Sequence, residues 1–223
     1  MRSELLVFLK APRVGAVKTR LARDIGDELA VEVYRSLARA VLDATTPAPE
    51  EGFRRVLCFA PRDAGSEIAT WLVDEVLEPQ SEGDLGARMD EAFANSFARG
   101  STKTVIIGTD SLDVNRTAVE EALQALDHGD VVIRAAEDGG YTLIGLTKRQ
   151  TALFTDIAWS TGTVLSQTLA RAKSAGLGVK AAGPDADIDD LAGLRRHWPR
   201  VAPLLDAGVA RRIEGAAFST PPA

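Results

Sequence analysis

The sequence predicts an α/β protein built on a doubly wound, mostly parallel sheet flanked by helices. Short, continuously apolar runs such as LLVFL (5–9) and TVIIG (104–108) are typical of strands buried on both faces. Amphipathic helical patterns lie between these runs, and such strand–helix alternation indicates a parallel sheet. The chain has 223 residues, of which 45% are hydrophobic and 26% charged, which is ordinary for a folded globular protein.

The predicted elements follow one another along the chain. The predicted strands span 5–9, 56–60, 76–77, 104–108, 131–133 and 141–146, and the segment 178–182 leads into the acidic run DADIDD. The first long helix carries Leu29, Val33, Leu37 and Val41 on one face, and 63–73 is a second helical segment. Asp84 and Asn115 are predicted helix N-caps, and Gly129 is predicted to end the helix that Asn115 begins. A loop over 45–52, a helix over 160–175 and two short C-terminal helices complete the prediction.

Composition excludes several classes of function. Lys and Arg total 26 against 32 Asp and Glu, and the net charge of −6 argues against nucleic-acid or anionic-membrane partners. A single cysteine, Cys58, excludes an internal disulfide and a cysteine-cluster zinc site, and it fits a cytoplasmic location. We expect one domain over 1–223, with a core over about 4–196 and C-terminal helices and a loose tail over 197–223.

The loop after the first strand, KAPRVGAVKTRLA (10–22), is rich in cations. Gly15 frees the backbone to turn, and Lys18, Thr19 and Arg20 supply hydrogen-bond donors suited to phosphate. The loop is not a P-loop, because Val17 stands where that motif needs glycine. The alternative is a solvated basic loop whose charges pair with nearby carboxylates.

Two acidic segments are candidate metal ligands. In GTDSLD (108–113), Asp110 follows a central strand, where a carboxylate can hold Mg²⁺ or Mn²⁺, whereas Asp113 or Asn115 caps the next helix. In DADIDD (185–190), Asp189 is either a second carboxylate on that metal or part of a helix N-terminus, and spacing does not separate the two.

Two further segments favour substrate contacts. In AEDGGYTLIGL (136–146), the Gly139–Gly140 pair forms a tight hairpin turn, or lets a substrate approach the backbone beside Asp138 and Tyr141, or does both. The segment QSEGDLGARM (80–89) is a weaker polar cluster that includes Gln80, Gly83, Asp84 and Arg88.

Six segments, in chain order, resemble the radical-SAM/selenodomain-associated transferase family, a family of unknown function in the nucleotide-diphosphosugar transferase (GT-A) superfamily. They are LKAPRVGAVKTRLARDIG, QSEGDLGARM, GTDSLD, DGGYTLIGL, WSTGTVLSQT and DIDDLAGL, within about residues 5–194. Lys18, Thr19, Arg20 and Leu21 are also similar to the opening loop of phospholactate guanylyltransferases, where a basic loop embraces a triphosphate. Leu112 and Gly193 differ from the family's usual proline and acid.

The resemblance implies a Rossmann-like GT-A domain that binds a nucleotide or nucleotide-sugar donor through Mg²⁺ or Mn²⁺. Asp110 and Asp189 would hold the metal, with Lys18, Arg20 and Asp110 in catalytic roles. The implied nucleotide-binding residues are Lys10, Pro12, Gly15, Lys18, Thr19, Arg20, Gln80, Gly83 and Arg88. The implied acceptor-binding residues are Asp138, Gly139, Gly140, Tyr141 and Thr161.

The predicted function is therefore transfer of a glycosyl or nucleotidyl group from a nucleotide donor to a small acceptor. The basic loop favours nucleotidyl transfer, and the acidic metal loop also permits glycosyl transfer. A nucleotide-binding module without turnover is the alternative. Whether Asp113 and Asp187 also bind the metal stays open at this stage.

Overall fold

The computed structural model describes residues 3–48 and 52–218. In these ranges seven strands form one sheet: β1 (Ser3–Lys10), β2 (Arg54–Ala60), β3 (Leu77–Pro79), β4 (Lys103–Ile107), β5 (Val131–Ala136), β6 (Tyr141–Leu146) and β7 (Val179–Asp185). The same ranges contain eight α-helices: α1 (Thr19–Ile25), α2 (Asp27–Ala44), α3 (Gly65–Trp71), α4 (Leu85–Ala98), α5 (Arg116–Ala125), α6 (Val164–Ser174), α7 (Leu191–Val201) and α8 (Ala207–Phe218).

The strand order is β3-β2-β1-β4-β6-β5-β7. All neighbouring strands are parallel except β6, which runs antiparallel to both β4 and β5. The chain goes from β1 to β2 on one side and later returns to β4 on the other, so the order reverses between β1 and β4. Ligands of open α/β sheets bind at the carboxyl edge beside such a reversal. The predicted fold class is confirmed, including the hairpin between β5 and β6.

Two apolar cores cover the two faces of the sheet. Along β1, Leu5, Val7 and Leu9 pack in one core and Leu6 in the other, because successive side chains of a strand point to opposite faces. A third cluster joins α1 and α2 to the C-terminal helices through residues such as Leu21 and Leu194. The domain boundaries expected from the sequence stay a prediction.

Three predicted boundaries are corrected by the structure. Helix α5 ends at Ala125 rather than at Gly129, because a turn over 126–128 carries the chain toward β5. Helix α6 begins at Val164 rather than at Ser160, since Thr161 bonds the Ala158 carbonyl in a separate turn. Strand β3 occupies 77–79 instead of 76–77.

Other predictions at helix ends and termini have mixed outcomes. The predicted caps Asp84 and Asn115 are confirmed, because each side chain accepts a backbone N–H in the first turn of its helix. Residues 49–51 of the predicted loop and the whole tail after Phe218 lie outside the described residues. No helix in the described part of the chain has the length and apolar character to cross a membrane.

Candidate functional site

A cavity of about 450 Å³ lies at the carboxyl edge of β1 and β4, where the strand order reverses. Its floor is largely apolar, with Phe8, Met89, Ile106 and Ile144 among its lining residues. The polar and charged side chains that line it are Lys10, Lys18, Thr19, Arg20, Tyr34, Gln80, Arg88, Thr109, Asp110, Tyr141, Ser160 and Asp189. Six of the predicted nucleotide-binding residues are in this set, whereas Pro12, Gly15 and Gly83, all within the described ranges, are not.

Tyr34 of α2 fixes the end of β1 where the basic loop begins. Its hydroxyl accepts a hydrogen bond from the Lys10 N–H (2.7 Å) and donates one to the Lys10 carbonyl (2.9 Å). Burial raises the pKa of Tyr34 to about 12, so the hydroxyl stays protonated. Sequence reasoning missed this residue, because the helical pattern indicates only that Tyr34 lies beside a buried position.

Three carboxylates converge beside the cavity. Asp110 follows β4, and Asp187 and Asp189 follow β7; one oxygen from each lies within 4.8 Å of the other two. The Ile188 N–H donates to the Asp110 carbonyl (3.2 Å), and Ile188 itself is buried, so the two loops are fastened together. The structure thus joins the two predicted metal ligands and adds Asp187, which the sequence left open.

Lys18 lies between two of these carboxylates. Its Nζ is 2.5 Å from Asp110 Oδ1 and 2.8 Å from Asp189 Oδ1, and its side chain is only 3% exposed. Burial alone would lower the pKa of Lys18, but Asp110 and Asp189 outweigh it and raise that pKa above its usual range. Lys18 likewise outweighs the effect of burial on Asp189, whose pKa is lowered.

Asp187 forms no ion pair with Lys18 or with any other cation among the described residues. Burial, followed by the charges of Asp189 and Asp110, raises its pKa to about 7. Its Oδ1 is buried without a hydrogen-bond partner among the described residues. Three carboxylate oxygens with one unsatisfied atom are a donor set that suits a hard divalent cation such as Mg²⁺ or Mn²⁺.

The other acids near the cluster have structural partners. Asp113 Oδ2 accepts the Ala186 N–H (2.7 Å), and its Oδ1 pairs with Arg200 (2.8 Å), which joins the loop after β4 to α7. Asp190 caps α7 by accepting the Gly193 N–H (2.8 Å). Within the DADIDD run the helix cap is thus Asp190, and the assignment of Asp189 to a metal stays a prediction.

Gln80 positions Arg88 at the cavity wall. Its Nε2 donates to the Cys58 carbonyl (2.7 Å) and reaches the Leu9 carbonyl (3.4 Å), while its Oε1 accepts from Arg88 Nη1 (3.2 Å). The amide hydrogens of this buried side chain thus point at the sheet. The Arg88 guanidinium, which Gln80 holds through its amide oxygen, is the group available to a ligand in the cavity.

The predicted acceptor residues are only partly at the cavity. Tyr141 lines it, as does Ser160, whereas Asp138, Gly139, Gly140 and Thr161 do not, although the structure describes all four. Asp138 accepts its own turn's Gly140 N–H (2.8 Å). Gly139, at φ +88°, packs so closely on the 160–163 loop that a Cβ there would lie 2.2 Å from the Gly162 carbonyl. The turn therefore fastens that loop in place beside the cavity.

Comparison with known proteins gives one family and a set of solved structures. Residues 44–161 match a family described as "Uncharacterized protein conserved in bacteria" (DUF2064). No curated protein matches the chain. A crystal structure from Desulfovibrio desulfuricans G20, provisionally assigned as a nucleotide-diphospho-sugar transferase, is 29% identical with a TM-score of 0.85, over 98% of this chain and 97% of that one.

Two more distant structures share the fold. The inositol-1-phosphate CTP transferase from T. maritima is 18% identical with a TM-score of 0.54, over 97% of this chain and 98% of its own. Rv0371c from Mycobacterium tuberculosis H37Rv, in complex with manganese, is 16% identical with a TM-score of 0.50, over 88% of this chain and 97% of its own. At these identities the likeness is one of fold alone.

Proposed function

This chain belongs to the bacterial family DUF2064, and we propose that it is a divalent-metal-dependent transferase that moves a nucleotidyl or glycosyl group from a nucleotide donor to a small acceptor. The observation that carries the proposal is the convergence of Asp110, Asp187 and Asp189 beside a cavity of about 450 Å³ whose other charged side chains are cations. The names of a nucleotide-diphospho-sugar transferase and a CTP transferase among the similar structures support it.

The cations of the cavity suit the phosphates of a donor. Lys10 lines the cavity from the end of β1, Arg20 from α1 and Arg88 from α4. Charge-assisted hydrogen bonds from such groups to phosphate oxygens are stronger than neutral ones. Gln80 holds the Arg88 guanidinium, so this donor is already positioned before a ligand arrives, and Tyr34 fixes the backbone from which the Lys10 side chain extends.

Asp110, Asp187 and Asp189 are the residues that would hold the metal. A divalent ion bound there would neutralise negative charge on the donor phosphates. The complex of Rv0371c with manganese supports this assignment within the same fold. The chain's own contribution is to keep three carboxylates close together, which the hydrogen bond between the Ile188 N–H and the Asp110 carbonyl does.

The charge of the cavity favours nucleotidyl transfer. In that reaction an acceptor oxygen bonds to the α-phosphorus, the bond between the α-phosphorus and the α–β bridging oxygen breaks, and pyrophosphate leaves with the bonding electrons. The acceptor hydroxyl, if that is the nucleophile, loses its proton to solvent. A triphosphate has more negative charge than a nucleotide sugar, and three cations in addition to Lys18 line the cavity. Glycosyl transfer, in which a nucleoside diphosphate leaves from the sugar carbon, is the alternative reaction that the experiments below distinguish.

A ligand panel tests the proposal. The melting temperature is measured with each nucleoside triphosphate and nucleotide sugar in Mg²⁺, Mn²⁺ or EDTA, for the parent and for Asp110→Asn. Asp43→Asn, on α2 and outside the cavity lining, is the matched control. We expect a metal-dependent shift for the parent and Asp43→Asn that Asp110→Asn loses.

The product then identifies the reaction. Release of pyrophosphate from a triphosphate indicates nucleotidyl transfer, and release of a nucleoside diphosphate from a nucleotide sugar indicates glycosyl transfer. A metal-dependent shift in melting temperature without any product across a wide acceptor panel would indicate a nucleotide-binding module and not a transferase. Absence of any metal-dependent shift would contradict the proposal as a whole.

A further inference from the structure

The ammonium group of Lys18 contacts two of the three carboxylates that would hold a metal. Its distances to Asp110 Oδ1 and Asp189 Oδ1 are 2.5 and 2.8 Å. The lysine side chain is 3% exposed, whereas the two carboxylates are 43% and 40% exposed, so these acids are open toward the cavity while the cation is enclosed. Lys18 thus neutralises part of the negative charge of the cluster from its buried side.

An ammonium and a divalent ion compete at this position. One oxygen from each carboxylate lies within 4.8 Å of the other two, so an ion bound among them would lie close to the Lys18 ammonium. Two positive charges at van der Waals distance would also repel strongly in a partly buried site. A metal ion that takes the Oδ1 atoms of Asp110 and Asp189 would therefore displace the Lys18 ammonium.

The local backbone allows this displacement without unfolding. Lys18 is the N-cap of α1 in the left-handed conformation (φ 47°, ψ 41°), and its carbonyl accepts the Ala22 N–H (2.8 Å), so its backbone is fixed. The four-carbon side chain can change rotamer independently of that backbone. The next two residues, Thr19 and Arg20, line the cavity, so a displaced ammonium would enter the space proposed for the donor phosphates.

We propose that Lys18 is an internal counter-cation that exchanges partners: it neutralises Asp110 and Asp189 in the free protein and moves to the donor phosphates when the metal binds. This inference rests on the metal site of the proposed function. Free metal then binds weakly, because it must strip the ammonium of its only described ion-pair partners, whereas a metal–triphosphate complex brings a replacement anion. Metal and triphosphate each strengthen the other's binding by the same factor, since coupling between sites is reciprocal.

The first test is a titration of Mn²⁺ alone, followed by electron paramagnetic resonance, on the parent, Lys18→Met and Lys10→Met. Lys10 also lines the cavity but has no contact with the carboxylates among the described ion pairs, so its variant measures the effect of losing a nearby positive charge. We expect Lys18→Met to bind free Mn²⁺ about 10- to 100-fold more tightly than the parent, and Lys10→Met to change the affinity less than about threefold.

A triphosphate analogue that resists hydrolysis then measures the coupling. It should tighten Mn²⁺ binding to the parent at least about tenfold more than it tightens binding to Lys18→Met. Equal free-Mn²⁺ affinities of parent and Lys18→Met would overturn the exchange of partners and leave the proposed function intact. If neither protein binds Mn²⁺ with or without the analogue, the metal part of the proposed function falls together with this inference.

The second test needs no variant. Acetylation of lysines by a small amine-reactive reagent is followed by mass spectrometry on the parent, in EDTA and in saturating Mn²⁺ without nucleotide. Lys18 should react slowly in EDTA, and Mn²⁺ should raise its rate at least about tenfold relative to Lys10 in the same molecule. An unchanged Lys18 rate in a protein that demonstrably binds Mn²⁺ would refute the displacement.

Discussion

Adjacent aspartates at the start of α7 allow a sharp test of the site. Asp189 contacts Lys18 and the candidate metal position, whereas Asp190 caps the helix through the Gly193 N–H. Replacement of either by asparagine removes one negative charge and keeps nearly the same shape. Because asparagine caps helices about as well as aspartate, Asp190→Asn should leave both stability and metal binding close to those of the parent.

The expected loss at Asp189 follows from charge. A unit charge pair about 4 Å apart is worth about 4 kcal/mol at an effective dielectric constant of about 20, and about twice that when one ion is divalent. Asp189→Asn weakens the attraction to the metal, but it also weakens the attraction to the Lys18 ammonium that the metal displaces. The net loss of metal-binding free energy is the difference between these two attractions, about 4 kcal/mol at most. The carboxylate is 40% exposed and screened by water, which reduces the expected loss to about 1.4–2.8 kcal/mol, or about 10- to 100-fold in affinity.

Stability without metal should change little in Asp189→Asn. The variant loses one partner of Lys18, but it also relieves the repulsion that helps to raise the pKa of Asp187. These two effects oppose each other. Isothermal titration with Mn²⁺ and thermal unfolding in EDTA measure both quantities on the same samples. Parental Mn²⁺ affinity in Asp189→Asn, or an equal loss in Asp190→Asn, would refute the assignment of Asp189 to the metal.

Three further predictions concern the phosphates, the fold and the pH dependence. Arg20→Ala should weaken triphosphate binding by about 1.5–3 kcal/mol and nucleoside binding little, whereas Arg23→Ala, on the same helix but outside the cavity lining, should affect neither. Gly86→Ala should destabilise the fold by about 1–2 kcal/mol in urea unfolding, since its Cβ would lie 2.5 Å from a backbone oxygen. In Gly215→Ala the added Cβ would meet no atom within 4 Å beyond its chain neighbours and its own helix backbone, so this variant should be stabilised by up to about 1 kcal/mol. Burial opposes ionisation of Glu4, but paired arginines outweigh it and lower its pKa below the usual 4.5; Glu4→Gln should therefore cost about 1–3 kcal/mol at pH 7, a difference that shrinks as the pH falls through the lowered pKa.

The sheet and its carboxyl edge could be predicted because they depend on local pattern and on general rules of α/β topology. Apolar runs predicted the strands, and their order predicted that Lys18 and Asp110 lie at the same carboxyl edge, whereas spacing left the place of Asp189 open. Lys18 and Asp189 are 171 residues apart, yet their side chains form a hydrogen bond. No periodicity connects them; the parallel strands bring their ends to the same edge.

The partners of individual side chains could not be predicted in the same way. Lysine suits a phosphate or a carboxylate equally well, and only the packing around Lys18 shows that carboxylates hold it in the free chain. Tyr34 gave no signal, because a hydrogen bond to the end of a strand depends on how a helix lies across the sheet. Asp113 and Asp187 were equivalent by composition, but the first bonds the Ala186 N–H and the second has an unpartnered oxygen.

The pairing of Lys18 with the acidic cluster also bears on how the fold survives without its ion. Two acids that share one enclosed cation are tolerated, whereas partly buried carboxylates without compensation are costly. If the metal alone neutralised Asp110 and Asp189, removing it would leave adjacent like charges and the fold would depend on the ion. With Lys18 in contact with both, the free protein already has a cation at this position. The stability of the fold therefore does not depend on whether the metal is bound, because Lys18 takes the place of the ion until the donor arrives.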